Sequence, residues 1–296
     1  MDHIAFVRAL SAEEKARLSQ RSNTAGLLHL LSYVAALTIT GTWIVAQAPF
    51  WPLILLPHGI LLVFLFTLSH EATHQTPFAS RRFNDLVGHV IAPIILLPFV
   101  WFRYFHLAHH KYTNDPERDP EIAGHPRPND WKSYTVYLSG WGYWSGMIRV
   151  LIDNARGDFD AQYLPDRQHG AMQREAQFTL LVLILGLCSV LWTPVLFWVW
   201  ILPVVMGQPV LRVYLLAEHG LCPPVASMFE NTRTTFTSRV VRWLAWNMPY
   251  HIEHHSMPNV PFHKLPELHD LMRPHLVSTS DGYAEFTRDY VKTLDT

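Results

Sequence analysis

Apolar positions along the chain gather into two long windows. No lysine or arginine occurs from Ser22 to Ser80, nor from Glu175 to Leu211, so all 23 basic residues lie outside them. Each window has room for two membrane spans of roughly 20 residues, the second slightly short. The first divides at "QAPFWP" (47–52) into segments near 25–47 and 51–70, the second at "LWTP" (191–194) into segments near 176–192 and 195–217. Each pair reads as a helical hairpin with a short uncharged turn. Trp43, Trp51, Trp192, Trp198 and Trp200 fall near those turns, where an interfacial aromatic belt would place them. A large soluble α protein could also bury apolar helices. Two basic-free windows that each split into a hairpin fit spans better.

The expected fold is therefore an all-α integral membrane protein, with four transmembrane helices in two hairpins. Residues 1–296 read as a single domain, without an internal repeat or low-complexity tract. The positive-inside rule places the basic loops in the cytoplasm: segment 1–24, loop 71–174 and segment 218–296, with both termini. The stretch "LVGHVIAPIILLPFVWF" (86–102) is apolar but broken by Pro93 and Pro98, and reads as re-entrant or interfacial. A full span there would separate residues 70–74 from 106–110 by the thickness of the bilayer. The region "WKSYTVYLSGWGYWSGMIRVLI" (131–152) fits an interfacial helix or an ordinary buried one. The first 24 residues lack the apolar core and cleavage site of a signal peptide and read as an amphipathic surface helix. A bacterial inner membrane is compatible with these features.

Composition agrees with the membrane reading: 49% of residues are hydrophobic and only 16% charged, where soluble domains run near a quarter charged. The net charge of −1 gives no reason to expect a nucleic-acid partner. Two cysteines, Cys188 and Cys222, make a disulfide framework or a thiolate metal cage unlikely. Histidine is the anomaly, with 18 in a chain so poor in charge.

Eight of these histidines form three clusters: "HEATH" (His70, His74), "HLAHH" (His106, His109, His110) and "HIEHH" (His251, His254, His255). At this histidine frequency one H-x-x-H-H is expected by chance only about 0.07 times in the chain, so two carry a strong signal. On a helix, residues i, i+3 and i+4 share a face. An adjacent pair diverges by about 100°, which suits two different metals better than one. The span count brings all three clusters to the same membrane face. "LLAEHG" adds His219 at the end of the fourth span, where an ionisable group is a functional candidate by default. Nine imidazoles exceed the four ligands of a structural zinc and suit Zn, Cu, Fe or Ni by softness. Glu71, Asp115, Asp119, Glu218 and Glu253 lie in or beside the clusters and could accept a ligand's free N–H. Solvated loop charge is the plainer reading for about half of them. The remaining histidines, His3, His29, His58, His89, His125, His169, His263, His269 and His275, read as packing residues, with His89 the one to watch.

The three clusters, in this order and on this hydropathy profile, resemble the membrane fatty acid desaturase and hydroxylase superfamily over roughly residues 25–275. The resemblance extends to "HHKYTNDPERDP", to "PYHIEHHSMPNVPFHKLPELH", and to "AEHG" around His219. It implies a four-span bundle with a cytosolic cap and a non-haem centre of two iron ions on His70, His74, His106, His109, His110, His219, His251, His254 and His255. It implies O2-dependent attack on an unactivated C–H bond of a lipid or fatty acyl chain, giving an alkene or, in a hydroxylase, an alcohol. The sequence departs from the pattern in two places. The first cluster has three intervening residues where many acyl-CoA desaturases have four, and the third begins with His251 where front-end desaturases carry glutamine. No fused haem domain is visible and two cysteines cannot hold an iron–sulfur cluster, so a separate ferredoxin- or cytochrome-type donor with its reductase is expected. A metal transporter fits less well, because the clusters sit at span ends while the spans carry only His29 and His58. A zinc membrane hydrolase fits less well too, since "HEATH" lacks an obvious third ligand outside the other clusters.

Overall fold

A computed structural model describes residues 2–123 and 126–295; His125, read above as a packing residue, lies outside them. Among the described residues the regular structure is helical, apart from one pair of two-residue strands. Where one amphipathic surface helix was expected at the start, two short ones stand: α1 (His3–Ala9) and α2 (Ala12–Leu18). Ser11 divides them. Its hydroxyl accepts the Glu14 N–H and the Glu14 carboxylate accepts the Ser11 N–H, a capping box that starts a new helix. Phe6 and Leu18 are buried, so this segment is packed down.

α3 (Asn23–Val45) and α4 (Trp51–Val63) follow, and α5 (Leu65–Thr73) continues α4 beyond Phe64. α6 (Arg81–Ile95) and α7 (Phe99–Tyr112) then meet at 100°. The corner is built from Leu96 in a left-handed conformation and Pro98 at the N-cap of α7. The prolines of the 86–102 stretch thus mark a bend between two helices. α8 (Trp131–Leu138) and α9 (Trp141–Arg156) divide region 131–152 at Gly140, whose φ is +73°. α10 (Asp166–Ser189) leads to a π-helical turn at Phe197–Ile201 and α11 (Leu202–His219). The C-terminal segment folds into α12 (Met228–Asn231), β1 (Thr234–Thr235), α13 (Arg239–Leu244), α14 (His251–Ser256), α15 (Leu265–Met272), a 3-10 turn at Arg273–His275, β2 (Thr279–Ser280) and α16 (Tyr283–Val291). β1 and β2 pair in parallel.

Among the described residues four helical stretches are each long and apolar enough to cross a membrane: Ala12–Val45, Trp51–Thr73, Asp166–Ser189 and Phe197–His219. Leucine, isoleucine, valine, phenylalanine and tryptophan side chains stand exposed along them, among them Leu28, Leu31, Ile39, Trp43, Leu53 and Leu185. An outward apolar surface of this extent is what lipid would cover. α4 packs along α11, and α3 along α4. At the α4–α11 crossing two glycines meet: a Cβ on Gly59 would lie 2.0 Å from the Pro203 oxygen, and one on Gly207 2.4 Å from the Gly59 oxygen. Small residues allow this backbone approach.

The third and fourth candidate spans do not run side by side. α10 packs against α9, α6 and α7, while α11 packs against α4 and α8. Near the turn they meet, where the Trp200 ring covers Gly186. The α8–α9 pair, which touches both, opens the wedge between them. His58, inside the second span, is satisfied at both ring nitrogens. Nδ1 lies 2.7 Å from the Thr40 hydroxyl, and Nε2 lies 2.9 Å from the Val199 carbonyl in the π turn. It ties α3, α4 and the fourth span together.

Replacing Gly59 by leucine is expected to force α4 and α11 apart, at a cost of about 1–3 kcal/mol. Thermal unfolding of the detergent-solubilised protein checks this, with Gly146→Leu as comparison, since nothing lies within 4 Å of a Cβ there.

Candidate metal centre

Four helices deliver the imidazoles. α5 carries His70 in its last turn, with His74 at its C-cap. α7 carries His106, His109 and His110 on its last two turns, and α11 ends at His219. α14 is only six residues long, yet His251, His254 and His255 on it are all buried.

Ring nitrogens fall into two groups. His70, His74, His106, His110 and His254 bring one nitrogen each within 4.8 Å of one another, and His109, His219 and His255 do the same. His251 joins the edge of the second group, its Nε2 3.2 Å from that of His219. Helix geometry explains the sorting. Adjacent residues on a helix point about 100° apart, so His109 and His110 face different groups, as do His254 and His255.

The spacing within the first group is informative. Nε2 of His106 is 2.9 Å from that of His74 and 2.9 Å from that of His110, and Nε2 of His110 is also 3.2 Å from that of His254. A neutral imidazole nitrogen offers one in-plane hydrogen or one lone pair, so His106 and His110 cannot satisfy two such neighbours by hydrogen bonding. A shared cation can. Metal–nitrogen bonds of ~2.1 Å hold ligand nitrogens roughly 3.0 Å apart at right angles and roughly 3.4 Å apart at tetrahedral angles. Both nitrogens of His70 and Nε2 of His255 are buried without a hydrogen-bond partner, which is unusual for polar atoms in a packed interior. The donor set and its orphaned nitrogens therefore fit metal ions.

Electrostatics keep the nitrogens of His74 and of the α14 histidines available. Burial pushes His251, His254 and His255 well below the ordinary histidine range, with neighbouring imidazoles adding to the effect. Burial likewise pushes His74 down to about 3. Neutral imidazole is the form that binds metal.

Around the rings stands a set of acceptors. Asp119 lies 2.9 and 3.0 Å from Nδ1 of His109 through its two oxygens, and its own loop wraps it with N–H bonds from Asn114 and Glu121. Glu71 approaches Nδ1 of His254, and Glu218 that of His251, each to 3.5 Å. Glu71 also accepts bonds from the Thr76 hydroxyl and the Phe262 N–H. Glu253 braces α14 from behind, joined to His269 Nδ1 and the Thr234 hydroxyl at 2.5 Å each. Asp115 pairs with Arg118 and caps its own loop, making no bond to a histidine. Sequence reasoning missed four partners. Glu121 reaches within 3.6 Å of His109, the Thr113 hydroxyl lies 3.2 Å from His255 Nδ1, the Asn231 carbonyl lies 3.2 Å from His219 Nδ1, and His269 braces Glu253. Glu121 had a signal, two positions beyond Asp119; a backbone carbonyl has none.

The packing histidines lie elsewhere. His3 meets the Met228 N–H, His29 the Trp243 carbonyl, His169 stacks on Phe159, His263 packs beside Phe262, and His275 against Phe6. His89 belongs to a tie that is buried at its Glu175 end. Its Nδ1 is 2.6 Å from one oxygen of Glu175, whose other oxygen accepts the Val100 N–H at 2.8 Å. Val100 is in the first turn of α7, where Pro98 offers no side-chain cap. A carboxylate on α10 thus caps the helix that carries three of the nine imidazoles, with the favourable sign of the helix dipole.

A cavity of about 1280 Å³ opens in the wedge made by α8 and α9, lined by α7, residues from 117–123 and 126–128, and α11. Aromatic and aliphatic side chains, including Phe66, Leu97, Trp101, Phe105, Met147 and Val150, form much of its wall, and it reaches His219, Glu218 and Glu121. It exceeds the several hundred cubic ångströms of an ordinary small-molecule pocket.

Comparison with known proteins gives this arrangement a family. The family model described as "Fatty acid desaturase" matches residues 46–287, most of the chain. The chain belongs to the fatty acid desaturase family. It is 38% identical over 98 residues to the sn-1 oleoyl-lipid 12-desaturase of Anabaena variabilis, covering 32% of this chain and 27% of that protein. It is 28% identical over 218 residues to the sphingolipid delta(4)-desaturase DES1 of Drosophila melanogaster, covering 71% and 62%. A third relative, the sn-1 acyl-lipid omega-3 desaturase (ferredoxin) of a Nostoc strain, is 34% identical over 70 residues, covering 24% and 20%. The chain thus spans about a quarter of the length of the Anabaena relative and under two thirds of the Drosophila one.

Glu175→Ala is expected to destabilise the protein by about 1–2 kcal/mol through the lost α7 cap, and Glu175→Gln, which still accepts the Val100 N–H, by less. Thermal midpoints of the two variants, measured side by side, check the order.

Proposed function

We propose that the protein is an O2-dependent membrane desaturase whose nine clustered histidines hold two non-haem irons. The observation that carries this reading is the sorting of the adjacent histidines into two groups with unsatisfied ring nitrogens. His70, His74, His106, His110 and His254 would hold one metal, and His109, His219, His255 and His251 the other. Bound iron would supply what side chains lack: activation of O2 for attack on an unactivated C–H bond. In the overall reaction two hydrogens leave adjacent carbons, and O2 with two electrons and two protons becomes two waters.

The chain's own residues do the rest. Asp119, Glu71 and Glu218 face the free ring nitrogens of His109, His254 and His251, and so orient these rings and raise their basicity. The apolar wall of the cavity holds a lipid or fatty acyl chain, excludes water and presents one region of the chain beside His219. Tyr143, whose hydroxyl donates to the Ile95 carbonyl at 2.7 Å, fixes the wall's shape near the α6–α7 corner. The electrons come from a separate donor of ferredoxin or cytochrome type with its reductase, a reading supported by the ferredoxin in the Nostoc relative's name. The protein would lie in the membrane with the histidines and both termini on the cytoplasmic side, and residues 218–296 as the cap. The relatives' names are those of desaturases, so a hydroxylase on the same centre draws no support from them.

Metal analysis of the purified protein is expected to give two irons per chain. His109→Ala and His110→Ala should each deplete a different metal, leaving about one; a single zinc per chain would sink the reading. Asp119→Asn is expected to weaken metal affinity about 10- to 100-fold without unfolding the chain, as titration of the metal-stripped protein would show. Product analysis after incubation with O2, donor and candidate lipids should return an alkene.

A further inference from the structure

Arg212 is the outlying charge in the cavity wall. It lies within the candidate span Phe197–His219, where a charged side chain is costly unless partnered. Among the described residues no carboxylate comes within ion-pair distance of it, and its Nε is buried without a hydrogen-bond partner. What holds it is aromatic: its guanidinium carbon lies 4.8 Å from the Tyr143 ring centre and 5.8 Å from that of Tyr137. Both hydroxyls of these tyrosines are committed to backbone carbonyls, of Ile95 and of Arg212 itself. Ring faces steady the guanidinium but accept none of its five N–H donors in the plane of the fork.

The other cations of the cavity are accounted for. Arg118 pairs with Asp115, Arg127 donates to the Asn114 side chain at 2.7 Å, and Lys111 and Arg149 are exposed. The nearest acids on the wall, Glu121 and Glu218, face His109 and His251. Arg212 precedes His219 by seven residues, two turns along α11, so the two side chains share a face about 10 Å apart along the axis. A pre-positioned donor group therefore looks into an apolar cavity at a set distance from the histidines.

We propose that Arg212 anchors an acceptor oxygen at one end of the bound chain, so that the cavity selects an oxygen-bearing fatty chain, as acid or ester, over a bare hydrocarbon. This rests on the reading that the cavity holds the lipid chain, and it makes Arg212 a specificity-determining residue. A donor that loses its only acceptor is penalised more than a missing apolar contact is, so the discrimination falls on the hydrocarbon.

The test is a binding measurement that needs no turnover. Dibromostearic acid quenches the fluorescence of tryptophan near its chain, and Trp101 lines the cavity. The purified full chain in detergent is titrated with this probe, and stearic acid, methyl stearate and octadecane compete. The acid and the ester are expected to compete about tenfold better than octadecane. If the acid alone does so, the recognised oxygen is anionic; if both do, it is the carbonyl. Arg212→Met should bring all three within about twofold, and Arg212→Lys should restore part of the preference. The proposal is overturned if octadecane competes as well as the acid in the unaltered protein, if Arg212→Met keeps the preference, or if no competable quenching occurs. Desaturation assayed separately in membranes would survive each of those results, so failure here and failure of the desaturase reading are distinguishable.

Discussion

Nine imidazoles, seven of them buried and His74 and His110 half-buried, can share one interior only if something replaces the water they have lost. Each ring brings two polar nitrogens, and burial favours the uncharged form. Uncharged rings with lone pairs aimed at a common point, 2.9–3.2 Å apart, repel unless a cation sits between them. The fold is organised around meeting this condition. Two helix ends, α5 and α11, one long helix, α7, and the short α14 all terminate or turn at the same place. None of them could close a metal's ligand shell alone. The outer nitrogens are then met by fixed acceptors: Asp119, Thr113, the Asn231 carbonyl, and more distantly Glu71 and Glu218. Such partners set the tautomer of each ring, and therefore which nitrogen faces inward.

The same arrangement explains the cavity. α11 must end at the centre to deliver His219, and α10 must reach α7 to place Glu175 over its first turn. These demands pull the two helices apart below their common turn. α8 and α9 fill the opening incompletely, and the residual space runs from the apolar wall to His219. A site for a long chain beside the histidines thus follows from the way the third and fourth candidate spans are held. Gly140, at φ +73° between α8 and α9, permits the sharp junction this requires.

Much of this was legible in the sequence because it rests on local rules. Basic-free windows marked the four apolar helices, and helical spacing marked which histidines could share a face. The divergence of His109 from His110 follows from the helical repeat alone. What escaped depends on the tertiary path. Nothing in 131–152 announces that it wedges α10 away from α11. Asp115 and Asp119 stand four residues apart in similar surroundings, yet only Asp119 turns inward, because Arg118 holds Asp115 in its own loop. His269 looked like packing and packs against Tyr250, but its ring also holds Glu253, and through it α14. Glu175 entered the sequence reading only as the first residue of a window without lysine or arginine. Its role as a cap appears only once α7, 75 residues earlier, is placed beside it.

An ionisable residue inside an apolar helix invites a functional reading, and this chain shows what refines that inference. His58, Glu175 and Arg212 all lie within candidate spans. His58 has a partner at each nitrogen, one of them a carbonyl turned outward by the π turn. Glu175 has a partner at each oxygen. Both are complete as they stand, and their energy goes into fixing helices. Arg212 has aromatic faces around it and no acceptor among the described residues. Depth in the membrane is common to all three and does not separate them. The separating quantity is the count of unmet donors, and by that count only Arg212 leaves chemistry for a second molecule to supply.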